Sequence, residues 1–283
     1  MTKVLVTGAN GQLGTDLVLY LESLDYQVFA LGKSDLDITN EKEVYEKVIL
    51  IKPDIIIHCA AYTNVDKAES ERDLAFLING IGTRNIVLAS KSIKAKLVYI
   101  STDYVFDGSS TTSYHEFSPV SPLNIYGYSK LAGENFVRDF HSRFFIVRTS
   151  WVFGVRGNNF VKTMLKLSKE KEHLSVVKDQ VGCPTYTVDL SKCIVELMES
   201  EKYGIYHVSN TGYCSWYEFA KEIFYQSNNL IKLEACLTEE FPRSAKRPKY
   251  SVMDHMGLRI NNFNEMPHWK DALSRFLLQI SNS

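Results

Sequence analysis

The amino-acid sequence predicts an α/β fold built on a doubly wound parallel sheet. Over residues 1–150, short apolar runs alternate with longer segments of helical periodicity. Each run is almost continuously apolar, which is typical of strands that helices cover on both faces. The predicted strands are residues 4–6, 28–31, 55–57, 97–100 and 144–147.

The segments between these runs carry apolar residues at helical spacing. Repeated strand–helix–strand units favour right-handed crossovers and helices on both sides of the sheet. The helical positions are Leu13, Leu17, Leu21 and Leu24, then Val44, Val48 and Ile51 before Pro53, then Leu74, Leu77, Ile78, Ile81, Ile86 and Val87.

Beyond residue 150 the alternation is less regular. Helical patterns cover residues 160–167, 190–198, 216–224 and 269–280, and strand patterns cover 174–177 and 205–208. We therefore predict a first domain of residues 1–150 and a smaller, mixed α/β lobe of residues 151–283 that binds substrate. The chain of this lobe is expected to cross back to the sheet.

Composition excludes several classes of protein. The chain has 283 residues, of which 45% are hydrophobic and 23% charged, and a net charge of −1. This balance is typical of a globular enzyme and does not favour nucleic-acid binding. No apolar run approaches the roughly 20 residues that span a bilayer. Residue 1 leads directly into a strand pattern, so we expect no signal peptide. The five cysteines are odd in number and widely spaced, which favours a reducing compartment. We therefore expect a cytoplasmic enzyme with no membrane partner.

A glycine-rich loop follows the first predicted strand and opens the first helix. Its glycines, Gly8, Gly11 and Gly14, are spaced by three. Gly8 allows a tight turn, Gly11 lets the backbone approach a pyrophosphate, and Gly14 allows close helix–strand packing. The helix N-terminus then offers free N–H groups to the anion. This loop predicts a Rossmann-type dinucleotide-binding domain within residues 1–150.

The end of the second strand indicates which dinucleotide is bound. NAD-binding proteins usually place a carboxylate about 20 residues past the loop, where it holds the ribose 2′-hydroxyl. Here Lys33 lies beside the expected point, which favours the 2′-phosphate of NADP, unless it is a solvated loop residue. Asp35 and Asp37 keep NAD possible, and Asp37 and Ile38 are candidates to flank the adenine. We predict a preference for NADPH with NADH tolerated.

A Tyr-x-x-x-Lys pair is formed by Tyr126 and Lys130. Positions i and i+4 share one helix face, so the phenol and the ammonium can converge. A neighbouring ammonium stabilises phenolate, which lowers a tyrosine pKa from its ordinary value of about 10. The pair therefore predicts acid–base catalysis by Tyr126.

The motif occurs a second time at Tyr217 and Lys221, within a segment whose aromatic periodicity indicates packing. The first pair instead follows the fourth predicted strand, which ends at Thr102. Because ligands of open α/β sheets bind beyond the carboxyl ends of the strands, Thr102 is placed to offer its hydroxyl to a substrate carbonyl. The alternative is that this hydroxyl caps the end of its own strand.

The combined pattern resembles the extended short-chain dehydrogenase/reductases and, more narrowly, the dTDP-4-dehydrorhamnose reductases. The resemblance covers nearly the whole chain. It rests on residues 7–14, 58–69, 101–106, 121–127, 148–152 and 157–160, with Asp179-Gln180, Pro184-Thr185, Arg247-Pro248 and Ser251. It implies reduction of the C4 keto group of dTDP-4-dehydro-6-deoxy-L-mannose by NADPH, which gives dTDP-L-rhamnose.

The resemblance also implies residue roles. Tyr126 is the expected proton donor, Lys130 orients the nicotinamide ribose and lowers the tyrosine pKa, and Thr102 tunes the hydroxyl network. Asp103 and Trp151 are the expected contacts of the sugar nucleotide. Together with the loop glycines and the second-strand candidates, the predicted cofactor-binding residues are Gly8, Asn10, Gly11, Gln12, Leu13, Gly14, Lys33, Asp37, Ile38, Ala60, Ala61, Tyr62, Tyr126 and Lys130.

Three positions have alternatives. Trp151 follows the last predicted strand of the first domain, so it is either a substrate contact or a core aromatic. Arg247 suits bidentate pyrophosphate binding, with an ordinary surface-loop residue as the alternative.

Some relatives bind magnesium at a dimer contact through a carboxylate after the glycine loop. Here that place holds Asp16, a shorter acid that we interpret as a first-turn partner of the helix dipole. We predict no metal site and leave a homodimer open.

Two other functions compete with the reductase. A nucleotide-sugar dehydratase of this superfamily places an acid after the aspartate, whereas Asp103 is followed by Tyr104; an epimerase is the related alternative. A non-catalytic NADP-binding regulatory subunit, of the kind that serves methionine adenosyltransferase, also resembles this group. The presence of Thr102, Tyr126 and Lys130 favours an enzyme over that subunit.

Overall fold

The computed structural model describes residues 1–281, which contain twelve strands. The strands are β1 (Lys3–Thr7), β2 (Gln27–Leu31), β3 (Ile55–His58), β4 (Lys96–Thr102), β5 (Phe144–Thr149), β6 (Val152–Phe153), β7 (His173–Val177), β8 (Val181–Gly182), β9 (Thr185–Tyr186), β10 (Gly204–His207), β11 (Cys214–Ser215) and β12 (Lys232–Cys236).

The α-helices of the same residues flank and extend this framework. They are α1 (Gln12–Ser23), α2 (Glu41–Ile51), α3 (Val65–Ala68), α4 (Arg72–Phe76), α5 (Thr83–Ser92), α6 (Ile125–Phe140), α7 (Phe160–Glu170), α8 (Thr187–Glu199), α9 (Trp216–Gln226), α10 (Met256–Ile260) and α11 (Trp269–Ser281). A π-helical segment, Leu77–Gly82, joins α4 to α5, and short 3₁₀ turns cover Asp103–Val105 and Thr238–Glu240.

The central sheet is parallel throughout, with the strand order β10-β5-β4-β3-β1-β2. The order reverses at β1, because β2 lies on one side of it and β3 on the other. Ligands of doubly wound sheets bind in the crevice beyond the strand ends at such a switch point. The topology therefore places the loops that follow β1 and β3 at the mouth of that crevice.

Two apolar layers cover the sheet, as the continuous apolar strands predict. On one face Val4, Ile57 and Val147 pack beneath α1 and α8. On the other face Leu5, Ile56 and Ile146 pack beneath α2, α5 and α6. The doubly wound fold class is thus confirmed.

A separate aromatic cluster is built from residues beyond 150, the part of the chain called here the C-terminal lobe. Phe153, Phe219 and Phe276 are buried against one another, and Trp269 packs edge-on to Phe219. In the same part of the chain, β10 returns to the edge of the main sheet and pairs with β5. The division of the chain into residues 1–150 and 151–283 stays a prediction.

The structure differs from the sequence interpretation in two places. The predicted helix across residues 74–87 is interrupted by the π-helical segment Leu77–Gly82, in which Asn79 is fully buried. Asp16 lies beyond the first turn of α1, so the helix-dipole explanation was wrong. Its buried carboxylate instead accepts a hydrogen bond from Thr187 of α8, and burial raises its pKa.

Within residues 1–281, no helix combines the length and the apolar character needed to cross a membrane.

We expect Gly14→Ala to lower the free energy of unfolding by about 1–3 kcal/mol, the usual cost of overpacking. A Cβ at residue 14 would lie 2.3 Å from the Gly8 carbonyl oxygen, so α1 must move away from β1. Urea unfolding measures the change. Gly80→Ala is the control, because a Cβ there meets the Ala132 Cβ at an ordinary 3.7 Å. A Gly14→Ala protein as stable as the parent would contradict this packing.

Candidate active site

The loops after β1 and β3 meet at the switch point of the sheet. Gly8 has a φ of +66°, which favours glycine, and a Cβ there would lie 2.6 Å from the Ala60 nitrogen. Beneath them Thr7 Oγ1 and His58 Nδ1 are 2.7 Å apart, and burial lowers the pKa of His58 to about 3. The neutral histidine therefore fixes the two strand ends without adding charge.

The N-terminus of α1 fits an anion such as a pyrophosphate. Gly11 caps this helix without a side chain, and the first turn, residues 12–15, carries no carboxylate. Orphan N–H groups and the helix dipole are therefore available to a phosphate. The Gln12 side chain is engaged elsewhere: Nε2 donates to the Val152 carbonyl at 2.9 Å, and Oε1 accepts from Asn159 Nδ2 at 2.9 Å. Gln12 thus connects the glycine loop to the C-terminal lobe.

In the loop after β2, the two carboxylates that are candidates to bind a ribose already accept hydrogen bonds from the loop itself. Asp35 Oδ2 accepts from the Gly32 N–H at 2.8 Å, and Asp37 Oδ1 accepts from the backbone and hydroxyl of Thr39, which lowers the pKa of Asp37. Lys33, which precedes both, is exposed, and the predicted adenine neighbour Ile38 is buried. A positive charge is therefore exposed on the loop after β2, and its contact with a ribose 2′-phosphate stays a prediction.

The segment Ala60-Ala61-Tyr62 is anchored by Asn79 of the π-helical segment. The Tyr62 N–H donates to Asn79 Oδ1 at 2.8 Å, while Asn79 Nδ2 donates to the Tyr62 carbonyl at 3.0 Å and to Ser129 Oγ at 2.9 Å. Ser129 belongs to α6. Asn79 therefore ties one wall of the crevice to the helix that carries the Tyr-x-x-x-Lys pair.

Helix α6 begins after Asn124, whose side chain accepts from the Gly127 N–H at 2.8 Å. Tyr126 and Lys130 lie one turn apart near this N-terminus, as the spacing predicts. The Lys130 ammonium lies 4.1 Å from the centre of the Tyr99 ring and acts electrostatically on His58 and Cys59 at the end of β3. Because Cys59 precedes Ala60, the structure brings Lys130 to the same crevice as the glycine loop.

The Tyr126 phenol is protonated at neutral pH. Burial raises its pKa to about 12, a hydrogen bond with Thr102 opposes the rise, and the charge of Asp103 adds to it. The net lowering that was expected from the lysine is thus absent in the protein alone, because the cost of desolvation dominates.

Thr102 takes the capping role that the sequence left as the alternative, while its contact with a substrate carbonyl stays a prediction. Its Oγ1 accepts from the Tyr104 N–H at 3.2 Å and so caps the 3₁₀ turn after β4. The hydroxyl also donates to Asp103 Oδ1 at 3.0 Å and hydrogen-bonds with Tyr126. Thr102 therefore links the proposed proton donor to a carboxylate.

Asp103 is a buried carboxylate that is only partly satisfied. Burial raises its pKa to about 6, opposed by hydrogen bonds with Ser251 and Thr102. Its Oδ2 has no hydrogen-bond partner among the described residues. A buried, underbonded oxygen beside Tyr126 is what a polar ligand could complete.

Trp151 stacks face to face on Trp216, with ring centres 3.5 Å apart and planes within 7°. Its φ of +46° is unusual for a bulky residue and marks local backbone strain. Gly182 faces the indole, because a Cβ there would lie 2.7 Å from the ring. Trp151 is half-buried and belongs to an aromatic stack of the C-terminal lobe, so packing alone accounts for its position.

Arg247 is paired with the carboxylate of Asp66 in α3. Its Nη1 and Nη2 donate to Asp66 at 3.1 and 2.9 Å, and Arg243 Nη1 lies 3.9 Å from the same carboxylate. Arg247 also hydrogen-bonds with Tyr104, whose ring packs edge-on against Tyr126 at 5.8 Å. The guanidinium therefore contacts Tyr104, a neighbour of Tyr126. Its Nη1 and Nη2 donors are already occupied by Asp66.

Sequence reasoning missed four residues that shape this region, namely Asn79, Tyr104, Trp216 and Asp66. None carries a local signal of its role, since each acts through a residue distant in the chain. The second Tyr-x-x-x-Lys pair lies on α9, where Tyr217 packs against the aromatic core of the C-terminal lobe, as interpreted. Within residues 1–281, no group of three or more histidine, cysteine or acidic side chains could hold a metal ion.

Comparison with known proteins agrees with this architecture. Residues 1–282 match the family of the RmlD substrate binding domain. The chain is 46% identical over its full length to the spore coat polysaccharide biosynthesis protein SpsK of Bacillus subtilis, of which it covers 99%. It is 41% identical to dTDP-4-dehydrorhamnose reductase of Aggregatibacter actinomycetemcomitans, over 90% of this chain and 91% of that protein.

A solved structure resembles the chain throughout. The dTDP-4-dehydrorhamnose reductase of Bacillus anthracis, crystallised in complex with NADP, superposes with a TM-score of 0.97 and is 54% identical, over 99% of this chain and 100% of that one. The fold and site define an oxidoreductase of the extended short-chain dehydrogenase/reductase class. Within that class, the chain belongs to the dTDP-4-dehydrorhamnose reductase family.

We expect Asp103→Asn to raise the free energy of unfolding at pH 8 by on the order of 2 kcal/mol. The folded-state pKa of this carboxyl, about 6, lies above its ordinary value of 3.8, so ionisation opposes folding. The destabilisation by the ionised Asp103 carboxylate is complete above pH 6. It is lost as the pH falls from 6 to below 4. Urea unfolding of both proteins at pH 8 and pH 4 measures the difference. An equal gain at both pH values would show that the charge is not its cause.

Proposed function

We propose that this protein reduces the C4 keto group of dTDP-4-dehydro-6-deoxy-L-mannose with NADPH, which gives dTDP-L-rhamnose. The observation that carries the proposal is the position of Tyr126 on α6. Its phenol lies beside Thr102 at the carboxyl end of β4, while Lys130 reaches the end of β3 next to the glycine loop. The named reductases at 41% and 54% identity support the choice of substrate.

Tyr126 is the proposed proton donor. With a pKa of about 12 its phenol carries a proton at neutral pH, and the Thr102 hydroxyl lies within hydrogen-bonding reach. Bound NADPH would supply the hydride to C4. As the C=O double bond opens, the carbonyl oxygen takes the proton of Tyr126, and the hydroxyl of the product forms. The phenolate left on Tyr126 is then reprotonated from solvent, with Lys130 as the nearby cation that stabilises it.

The cofactor is proposed to lie across the switch point. Gly8, Gly11 and Gly14 form the turn under the pyrophosphate, Lys33 faces a 2′-phosphate, and Asp37 with Ile38 flank the adenine. Asn10, Gln12, Leu13 and the segment Ala60-Ala61-Tyr62 complete its binding surface. The relative from Bacillus anthracis was crystallised with NADP, which supports this assignment.

Substrate is proposed to contact Thr102, Asp103, Trp151 and Arg247. The unpartnered Asp103 Oδ2 suits a sugar hydroxyl, and the Trp151 ring suits a sugar or base face. For a pyrophosphate to bind Arg247, it must share or displace the bidentate contact with Asp66.

The competing functions predict different products. A dehydratase or epimerase would convert dTDP-4-keto-6-deoxyglucose without added reductant. The residue after Asp103 is Tyr104 and not the acid of a dehydratase, which supports the reductase. A regulatory subunit would bind NADPH and oxidise none of it.

We expect Tyr126→Phe to lower the rate of NADPH oxidation with the proposed substrate, dTDP-4-dehydro-6-deoxy-L-mannose, by at least about a hundredfold. This is the range for loss of a general acid. The fall in absorbance of NADPH measures the rate, and NADPH fluorescence confirms that the variant still binds the cofactor. Tyr217→Phe is the matched control, since it alters the second Tyr-x-x-x-Lys pair on α9 and should keep the parental rate. Near-full turnover in Tyr126→Phe would mean that another group donates the proton.

We expect Lys33→Ala to lower kcat/KM for NADPH about tenfold while leaving kcat/KM for NADH nearly unchanged. The variant removes a cation from the 2′-phosphate, and a contact of this kind is worth on the order of 1–2 kcal/mol. Lys166→Ala, an exposed cation on α7, is the control. If kcat/KM falls equally for both cofactors, Lys33 does not contact the 2′-phosphate. A parent protein that prefers NADH would overturn the assignment of NADPH as the cofactor.

A further inference from the structure

The Lys130 side chain lies in surroundings that oppose its positive charge. The residue is only 3% exposed, and its ammonium packs over the Tyr99 ring. From β3 it faces His58 and Cys59, both neutral because burial lowers the pKa of the first to about 3 and raises that of the second to about 12. Tyr126, one turn earlier on α6, is also neutral. An ammonium in such a place needs an anion nearby.

Glu134 lies one turn after Lys130 on α6 and is fully buried. Its carboxylate is fixed by three donors: Ser101 Oγ at 2.5 Å and Arg148 Nε at 2.9 Å to Oε1, and Arg148 Nη2 at 2.7 Å to Oε2. Ser101 on β4 and Arg148 on β5 are paired in the sheet register, so both project beneath α6. This arrangement limits the rotation of the carboxylate.

Gly133 allows this contact by letting α6 approach the sheet. A Cβ at residue 133 would lie 2.2 Å from the Tyr99 hydroxyl and 2.6 Å from the Asn79 carbonyl. The Tyr99 hydroxyl donates to the Lys130 carbonyl at 3.2 Å, which fixes the helix at the turn between Lys130 and Glu134. The two side chains therefore reach the polar edge of the sheet from a rigid backbone.

We propose that Glu134, held by Ser101 and Arg148, is a positioning residue that keeps the Lys130 ammonium charged and directed toward the crevice. Its consequence for catalysis rests on the proposed function, whereas its effect on Lys130 does not. Glu134 acts through Lys130 and is not itself a catalytic residue. The ion pair with Arg148 orients the carboxylate, and the remaining field of that carboxylate stabilises the ammonium.

The direction of the effect on pH dependence follows from the charges that face Lys130. Burial lowers the pKa of Lys130 to about 7, and Glu134 opposes that fall. Removal of the Glu134 charge should therefore lower the pKa further, so that Lys130 loses its proton at a pH where the parent still holds it.

The test is a titration of Lys130 in the full chain without added ligand. In protein labelled with [ε-¹³C]lysine, the chemical shift of Lys130 Cε reports its protonation, and loss of the signal in Lys130→Met assigns it. We expect the midpoint in Glu134→Gln to fall by at least one pH unit, a tenfold change in the acid dissociation constant. Asp139→Asn removes an exposed charge from the same helix and should keep the parental midpoint. An unchanged midpoint in Glu134→Gln would overturn the proposal.

A second variant covers a failure of Glu134→Gln to fold. Glu134→Gln combined with Arg148→Met removes both charges, a replacement that buried ion pairs often tolerate. The double variant also lacks the Glu134 charge, so its midpoint should fall in the same direction. The fall should be smaller than in Glu134→Gln, because a neighbouring cation is removed as well. The same midpoint as the parent would again overturn the proposal.

Activity separates this inference from the proposed function. In a working reductase, we expect the alkaline limb of kcat/KM for NADPH oxidation to move to lower pH in Glu134→Gln by the same amount as the Lys130 midpoint. A shifted midpoint with an unmoved limb would overturn the positioning role. A parent with no reductase activity would overturn the proposed function, while the titration would still decide whether Glu134 holds the charge of Lys130.

Discussion

The close approach of α6 to the sheet is the constraint on which the site depends. Side chains larger than hydrogen are excluded at two points of this helix: a Cβ at Gly127 would lie 2.3 Å from the Tyr104 carbonyl, and one at Gly133 would lie 2.2 Å from the Tyr99 hydroxyl. This contact carries the phenol of Tyr126 to Thr102 and the ammonium of Lys130 to the end of β3. A side chain at either glycine would therefore force α6 away from these contacts.

Close packing also determines the electrostatics of the site. Desolvation raises the pKa of Tyr126 and Asp103 and lowers that of Lys130, so each group is moved toward its neutral form. Hydrogen bonds and the ion pair of Glu134 with Arg148 offset part of this cost. The underbonded Asp103 shows that the compensation is incomplete, which is common where a protein must leave room for a polar ligand.

The fold could be predicted well because its signals are local. Continuous apolar runs such as residues 55–57 become strands covered on both faces, and the glycine loop lies at the junction of β1 and α1. The predicted helix across residues 74–87 failed in detail, because the π-helical segment places Asn79 against Tyr62 and Ser129, and these contacts have no counterpart in apolar periodicity. Asp16 was misread for the same reason, since its partner Thr187 lies in α8.

The sequence by itself determined the doubly wound sheet, the glycine-rich turn and the helical spacing of Tyr126 and Lys130, because each depends on residues a few positions apart. The tertiary structure alone decided which charges are buried and what satisfies them. It paired Arg247 with Asp66, stacked Trp151 on Trp216 and placed Glu134 between Ser101 and Arg148. Desolvation and pairing depend on chain segments that are distant in sequence, and only the folded backbone brings them together.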